Sequence, residues 1–136
     1  MGRLFNFWRP FRGAGIRVTR INDAFTEVDV ELKLRWYNQN YVGTHFGGSL
    51  YAMTDPFYML MLMHNVGRDY IVWDKAAAID FKKPGKGLVR AHFRYTLDEI
   101  AAVKAIADEK GKYVFTKPVQ ILNESDEVVA EVQKTI

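Results

Sequence analysis

A chain of 136 residues suffices for one domain with a real core, and 49% hydrophobic with 26% charged residues is ordinary for a soluble globular protein. A net charge of +3 is too mild to indicate a nucleic-acid partner. With no cysteine, disulfides, thiol nucleophiles and thiolate metal sites are excluded, which fits a reducing compartment.

Residues 1–13 lack the apolar core and cleavage site of a signal peptide, and Asn6 stands where a myristoylated chain wants Ser or Thr. Arg3, Leu4, Phe5, Phe7, Trp8 and Arg9 mix basic and apolar groups before Pro10, which stops a helix. Residues 1–12 therefore form an N-terminal helix or arm. It either packs its aromatics on the body or a partner subunit, the reading favoured by so short a turn, or touches a membrane surface.

Residues 16–21 read as a strand, Asn22-Asp23 as a turn. In 27–35, Val28, Val30, Leu32 and Leu34 alternate with charged residues, which predicts a half-buried antiparallel strand closing a hairpin. Gly43, Gly47 and Gly48 then break the pattern and precede a helix of some 16–18 residues, apolar on nearly every face and so buried all round. Gly67 is its natural stop. This segment is too short for a bilayer span and contains Asp55 and Pro56, so no stable membrane insertion is expected and the protein reads as cytoplasmic.

Strands are predicted over 70–81, with Ala77, Ile79 and Phe81 in one phase, and over 88–97, with a basic turn at 82–87 between them. Thr96 and Glu99 have capping-box spacing and open a short helix over 98–109, closed by Gly111. Strands over 113–122 and 127–135 follow, with Pro118 marking a bulge or an edge in the first. The order β-β-α-β-β-(α)-β-β predicts one α+β domain over 1–136, a curved antiparallel sheet around a central helix.

Asn40, Gly43, the pair Gly47-Gly48 and Asp55 fifteen residues after Asn40 carry a resemblance. The chain resembles the hotdog-fold acyl-CoA thioesterases of the phenylacetyl-CoA thioesterase type, and more narrowly the family DUF4442. The resemblance implies thioester hydrolysis at the interface of a homodimer or a dimer of dimers (a homotetramer). Asp55 would be general base or nucleophile, the Gly47 N–H would hold the thioester oxygen, and Asn40 would orient the water or the carbonyl. It implies no cofactor beyond the coenzyme A or acyl carrier of the substrate. Substrate contacts would come from Gly48, His45, Phe46, Lys82 and Lys83, with Asp74 or Lys75 supplied by the neighbouring subunit.

Three positions depart from the pattern. Phe46 stands where it has His, His45 comes one place early, and Pro56 follows the acid. Asp-Pro is also a common start of a helix, so Asp55 is either the acid or the N-cap of a helix beginning at Pro56. Lys82, Lys83, Lys86 and Arg90 suit coenzyme A phosphates or a plain basic turn. The methionines of 53–63 suit a pliable acyl pocket or core filling. His64 and His92 read as structural, and no metal site is indicated. The alternatives to a thioesterase are a non-catalytic acyl-binding module and a hydratase using His45.

Overall fold

The computed structural model of the chain describes residues 2–136, with side-chain surroundings from Leu4 onward. Met1 and the side chain of Arg3, parts of the expected N-terminal arm, lie outside the described residues. Two short helices, α1 (Gly2–Phe7) and α2 (Arg9–Ala14), open it. Pro10 does not stop a helix. It lies in the first turn of α2, where its missing N–H has no helical partner to lose. Phe5 and Phe11 turn inward, their rings 5.4 and 5.6 Å from Phe57, while Leu4, Phe7 and Trp8 stay exposed.

β1 (Ile16–Ile21) and β2 (Glu27–Lys33) form the expected hairpin. The Asn22 side chain closes it by accepting the Thr26 and Glu27 N–H groups at 2.8 and 2.9 Å. β1 is a sheet edge, and Asn6 covers part of it by accepting from Val18 N at 2.8 Å. Val28, Val30 and Leu32 are buried, as their alternation predicts.

The long central helix is two helices, α3 (Gly47–Ala52) and α4 (Phe57–Val66), separated by a turn at 53–56. Proline has no N–H to donate and disfavours helical backbone in the residue before it, so the break falls at Asp55-Pro56, a cis peptide. α4 is not buried all round. Phe57, Tyr58, Met61, Leu62 and Val66 face the sheet, whereas Met63 and His64 are exposed.

β3 (Ala76–Phe81), β4 (Leu88–Arg94), α5 (Leu97–Lys110), β5 (Thr116–Leu122) and β6 (Val128–Thr135) complete the chain. All neighbours are antiparallel in the order β1-β2-β4-β5-β6-β3. Residues 70–75 are irregular rather than strand, and β3, the second edge, leaves Ala77 and Phe81 exposed instead of buried. Thr96 caps α5 by accepting from Glu99 N, but the Glu99 carboxylate pairs with Lys117 at 2.7 Å. Pro118 is not at the β5–β6 irregularity but at a locally open edge of β5. It sits where β5 has lost its pairing with β4, and its carbonyl accepts from Tyr58 Oη at 2.7 Å.

The sheet wraps α4 in the expected hotdog arrangement. Phe57 and Tyr58 meet Phe93 at ring separations of 5.1 Å, over a floor of Val30, Val89, Ile121 and Val132. The core thereby fixes α4 against the sheet and leaves the 53–56 turn at its N-terminal end, where the candidate acid lies. Among the described residues no helix is long and apolar enough to cross a membrane.

Candidate functional site

The predicted residues separate into two groups at opposite ends of α3. At its start, the 40–46 loop docks on the 82–87 turn. Asn40 organises that loop. Its carbonyl oxygen accepts from Val42 N and Thr44 N at 3.0 and 3.1 Å, and its amide donates to Thr44 Oγ1 at 2.9 Å. Gly43 has a φ of 76°, a backbone only glycine adopts readily.

His45 ties the two segments together. It is 3% exposed, its backbone N–H donates to Gly85 O at 2.8 Å, and Nε2 lies 2.8 Å from Gly87 O. A carbonyl only accepts, so Nε2 carries the proton, and Nδ1 is buried without a partner. Burial lowers the His45 pKa, with the Gly87 carbonyl working against it. A neutral, enclosed imidazole held by a carbonyl is a fastener, and it does not favour the hydratase.

Phe46 is exposed and Gly47 and Gly48 follow it into α3, whose first turn has no side-chain cap. A Cβ on Gly47 would meet Phe81 Cζ at 3.0 Å, and one on Gly48 would meet Phe46 Cε1 at 2.6 Å. Both glycines let an aromatic ring lie close against the helix start, and a side chain at either position would push Phe81 or Phe46 aside. Asn40, His45, Gly47, Lys82, Lys83 and Lys86 share a cleft of about 650 Å³. Lys82 pairs with Asp80 and Lys83 with Glu127, each on the surface. Arg90, expected with these lysines, is drawn away to Asp126 and to Asn123 O.

At the other end of α3 stands a charged cluster. Asp55 Oδ1 lies 3.0 Å from Lys134 Nζ, and Asp74 Oδ2 lies 3.4 Å from the same nitrogen. Lys134 also donates to Tyr51 Oη at 3.3 Å and sits 5.3 Å from the centre of that ring. Its side chain is 0% exposed, against 43% for Asp55 and 22% for Asp74. Burial works against the Lys134 charge. Asp55, Asp74 and Tyr51 together outweigh it, and its pKa is raised. Burial also raises the Asp74 pKa, with Lys134 opposing and Asp55 adding to the rise.

Asp55 is not a helix cap. The first turn of α4 has no side-chain cap, and the Asp55 carboxylate is turned to Lys134. Asp74, expected to approach from a neighbouring subunit, already meets the cluster within one chain. Lys75 does not join it. Its backbone N–H holds Thr135 O, and its side chain borders a cavity of about 600 Å³ with Leu62, Trp73, Val103 and Phe115. The sequence reading missed Lys134, although a signal existed. Along 128–135 it shares the inward phase of Ala130 and Val132, where a charge is out of place.

His92 pairs with Glu27 and Asp29 on the outer face of the sheet, and His64 packs against Phe25 with 5.5 Å between ring centres. Among the described residues no group of three or more His, Asp or Glu could hold a metal ion.

The family model described as "Domain of unknown function (DUF4442)" matches residues 2–136. No curated protein matches the chain in sequence. Among solved structures it is similar to PA5026 of Pseudomonas aeruginosa, described as of unknown function and "Probable Thioesterase". That match has a TM-score of 0.84 and 22% identity, covering 98% of this chain and 89% of that one. It is similar to thioesterase HI1161 of Haemophilus influenzae, with a TM-score of 0.71, 13% identity and coverage of 98% and 84%. It is also similar to the phenylacetic acid degradation protein PaaI of Thermus thermophilus, with a TM-score of 0.63, 20% identity and coverage of 92% and 94%. At these identities the likeness is one of fold.

Proposed function

We propose, for a chain that belongs to the DUF4442 family and has the hotdog fold, that it hydrolyses acyl-CoA or acyl-carrier thioesters with Asp55 as the acid. One observation carries the reading. Asp55 is a carboxylate at a helix break, one oxygen held by a buried lysine, with enough exposure to receive a water or a thioester. As general base it takes a proton from water while the water oxygen attacks the thioester carbon. The carbonyl oxygen takes the negative charge, and the uncapped N–H of Gly47 is the donor suited to it.

Gly47 and Asp55 are separated by the length of α3, on the order of 10 Å at 1.5 Å per residue. A single thioester carbonyl cannot touch both in one chain. The complete site therefore takes its acid from one subunit and its oxyanion donor from another, which makes the homodimer the smallest working unit. The exposed edge strand β3 and the exposed Tyr41, Val42 and Phe46 beside the cleft are surfaces that a second copy would cover.

The lysine-lined cleft suits the phosphates of coenzyme A, and the apolar cavity beside α4 suits an acyl group. The reaction needs no cofactor. A non-catalytic acyl-binding module is the second reading, favoured by the Asn40 amide being engaged within its own loop. The test is thiol release from short, aromatic and long acyl-CoAs by the wild type and Asp55→Ala, with binding followed by calorimetry. Turnover abolished by the substitution supports the enzyme, and binding without turnover on any substrate supports the module.

A further inference from the structure

The thioesterase reading gives Asp55 a task and leaves Lys134 and Asp74 without one. Lys134 occupies an inward position on β6 between the buried Val132 and Ile136. A buried lysine there is poor core filling, because its charge loses water that only paired carboxylates replace. What it supplies is one positive charge within 3.4 Å of two carboxyl groups. Two carboxyls around one cation do not ionise alike, and the more enclosed one retains its proton longer. Asp74 is the more enclosed, with Oδ1 buried and unpartnered, while Asp55 makes the shorter contact to the lysine.

We propose that Lys134 is a positioning residue that keeps Asp55 ionised and turned to the site, while Asp74 holds the one proton of the carboxyl pair. Asp55, Lys134 and Asp74 then carry −1, +1 and 0, a neutral cluster suited to burial. Tyr51 on α3 is the further titratable group in contact with the lysine, and Tyr95 at the end of β4 is the next nearest to Asp74. The order of events in hydrolysis follows. Ionised Asp55 takes one proton from the attacking water, the C–S bond breaks, and the same proton passes from Asp55 to the departing thiolate. Asp74 keeps its proton throughout, so Lys134 is never divided between two anions.

The inference rests on the thioesterase reading for its kinetic readout only. The experiment is a pH titration of 13C-labelled aspartate carboxyl groups in wild type, Lys134→Met and Asp74→Asn, beside kcat and KM against pH for an acyl-CoA. Losing the cation disfavours the Asp55 anion, so Lys134→Met is expected to move the Asp55 titration and the acid limb of kcat up by about one pH unit or more. KM should change little. Asp74→Asn replaces one neutral group by another beside the lysine and is expected to leave both within about 0.3 pH unit of wild type or lower them slightly. In wild type, Asp55 ionises before Asp74.

Asp74 ionising first, Asp55 titrating unchanged in Lys134→Met, or both variants shifting upward would overturn the proposal. Should Lys134→Met not fold, the order of ionisation in wild type and the direction of the Asp74→Asn shift still decide it. A wild type that titrates as expected but hydrolyses no thioester supports the charge arrangement and sinks the thioesterase reading alone.

Discussion

The two ends of α3 show how differently a short helix can be used. At the Gly47 end the polar side chains are spent on backbone: Asn40 on its own loop, His45 on Gly87. At the Asp55 end, charged side chains meet one another, and one of them stays 43% exposed. A polar group already satisfied by rigid neighbours holds a site in shape. A charge that is anchored on one side and open on the other is equipped to act.

Substitutions at the two ends should therefore fail in different ways. Asp55→Ala is expected to lower kcat by about 10²- to 10⁴-fold, the usual contribution of a positioned base, with the fold retained by circular dichroism. His45→Ala is expected to lower stability by about 1–3 kcal/mol in denaturant unfolding, since the buried ring and its bond to Gly87 O, which tie the 40–46 loop to the 82–87 turn, are lost. If that variant instead loses turnover at unchanged stability, the contrast between the ends is wrong.

His45 also sharpens the contrast through pH. Its pKa is lowered by burial, so the unfolded chain takes up a proton before the native state does. The stabilising effect is complete above the unfolded pKa of about 6.5 and is lost as pH falls from there through the lower folded value. Unfolding midpoints measured against pH should show this loss in wild type and not in His45→Asn.

Smaller effects are expected further out. Val103→Trp, which narrows the cavity beside α4, should cut kcat/KM for long and aromatic acyl-CoAs about tenfold while sparing short ones. An equal effect on all chain lengths would remove the acyl group from that cavity. Smallest is Lys82→Glu with Lys86→Glu, expected to raise KM for acyl-CoA by about two- to fivefold, less at high salt. A thioester lacking the coenzyme A phosphates should be indifferent to the change.

Much of the fold was legible because half-buried strands carry a period of two. Val28, Val30 and Leu32 on β2, and Val89, Ala91 and Phe93 on β4, mark their buried faces without reference to any partner. β3 misled for the complementary reason: Ala77, Ile79 and Phe81 alternate like a buried face, yet the strand is an edge on which Ala77 and Phe81 stay exposed and Ile79 is only half-buried. The helix break was announced by Pro56, but hydrophobicity alone ran the two helices together.

For the candidate site, Asp55 stood out as a carboxylate in an apolar run and Asp74 was expected beside it, though from a second subunit, whereas Lys134 was hidden by distance along the chain. Lys134 is 79 residues away and becomes a neighbour only when β6 is laid beneath α3. No local pattern pairs the two. Only the misplaced charge on an inward position hinted that something waited opposite.

The most direct measurement is thiol release from saturating acyl-CoA by wild type and Asp55→Asn, each first shown to bind the substrate. Asparagine keeps the size of the side chain and removes its capacity to take a proton from water. The expected result is turnover in wild type and a loss of at least about a hundredfold in the variant at similar affinity. A variant that turns over within twofold of wild type would contradict the assignment of Asp55 as the general base.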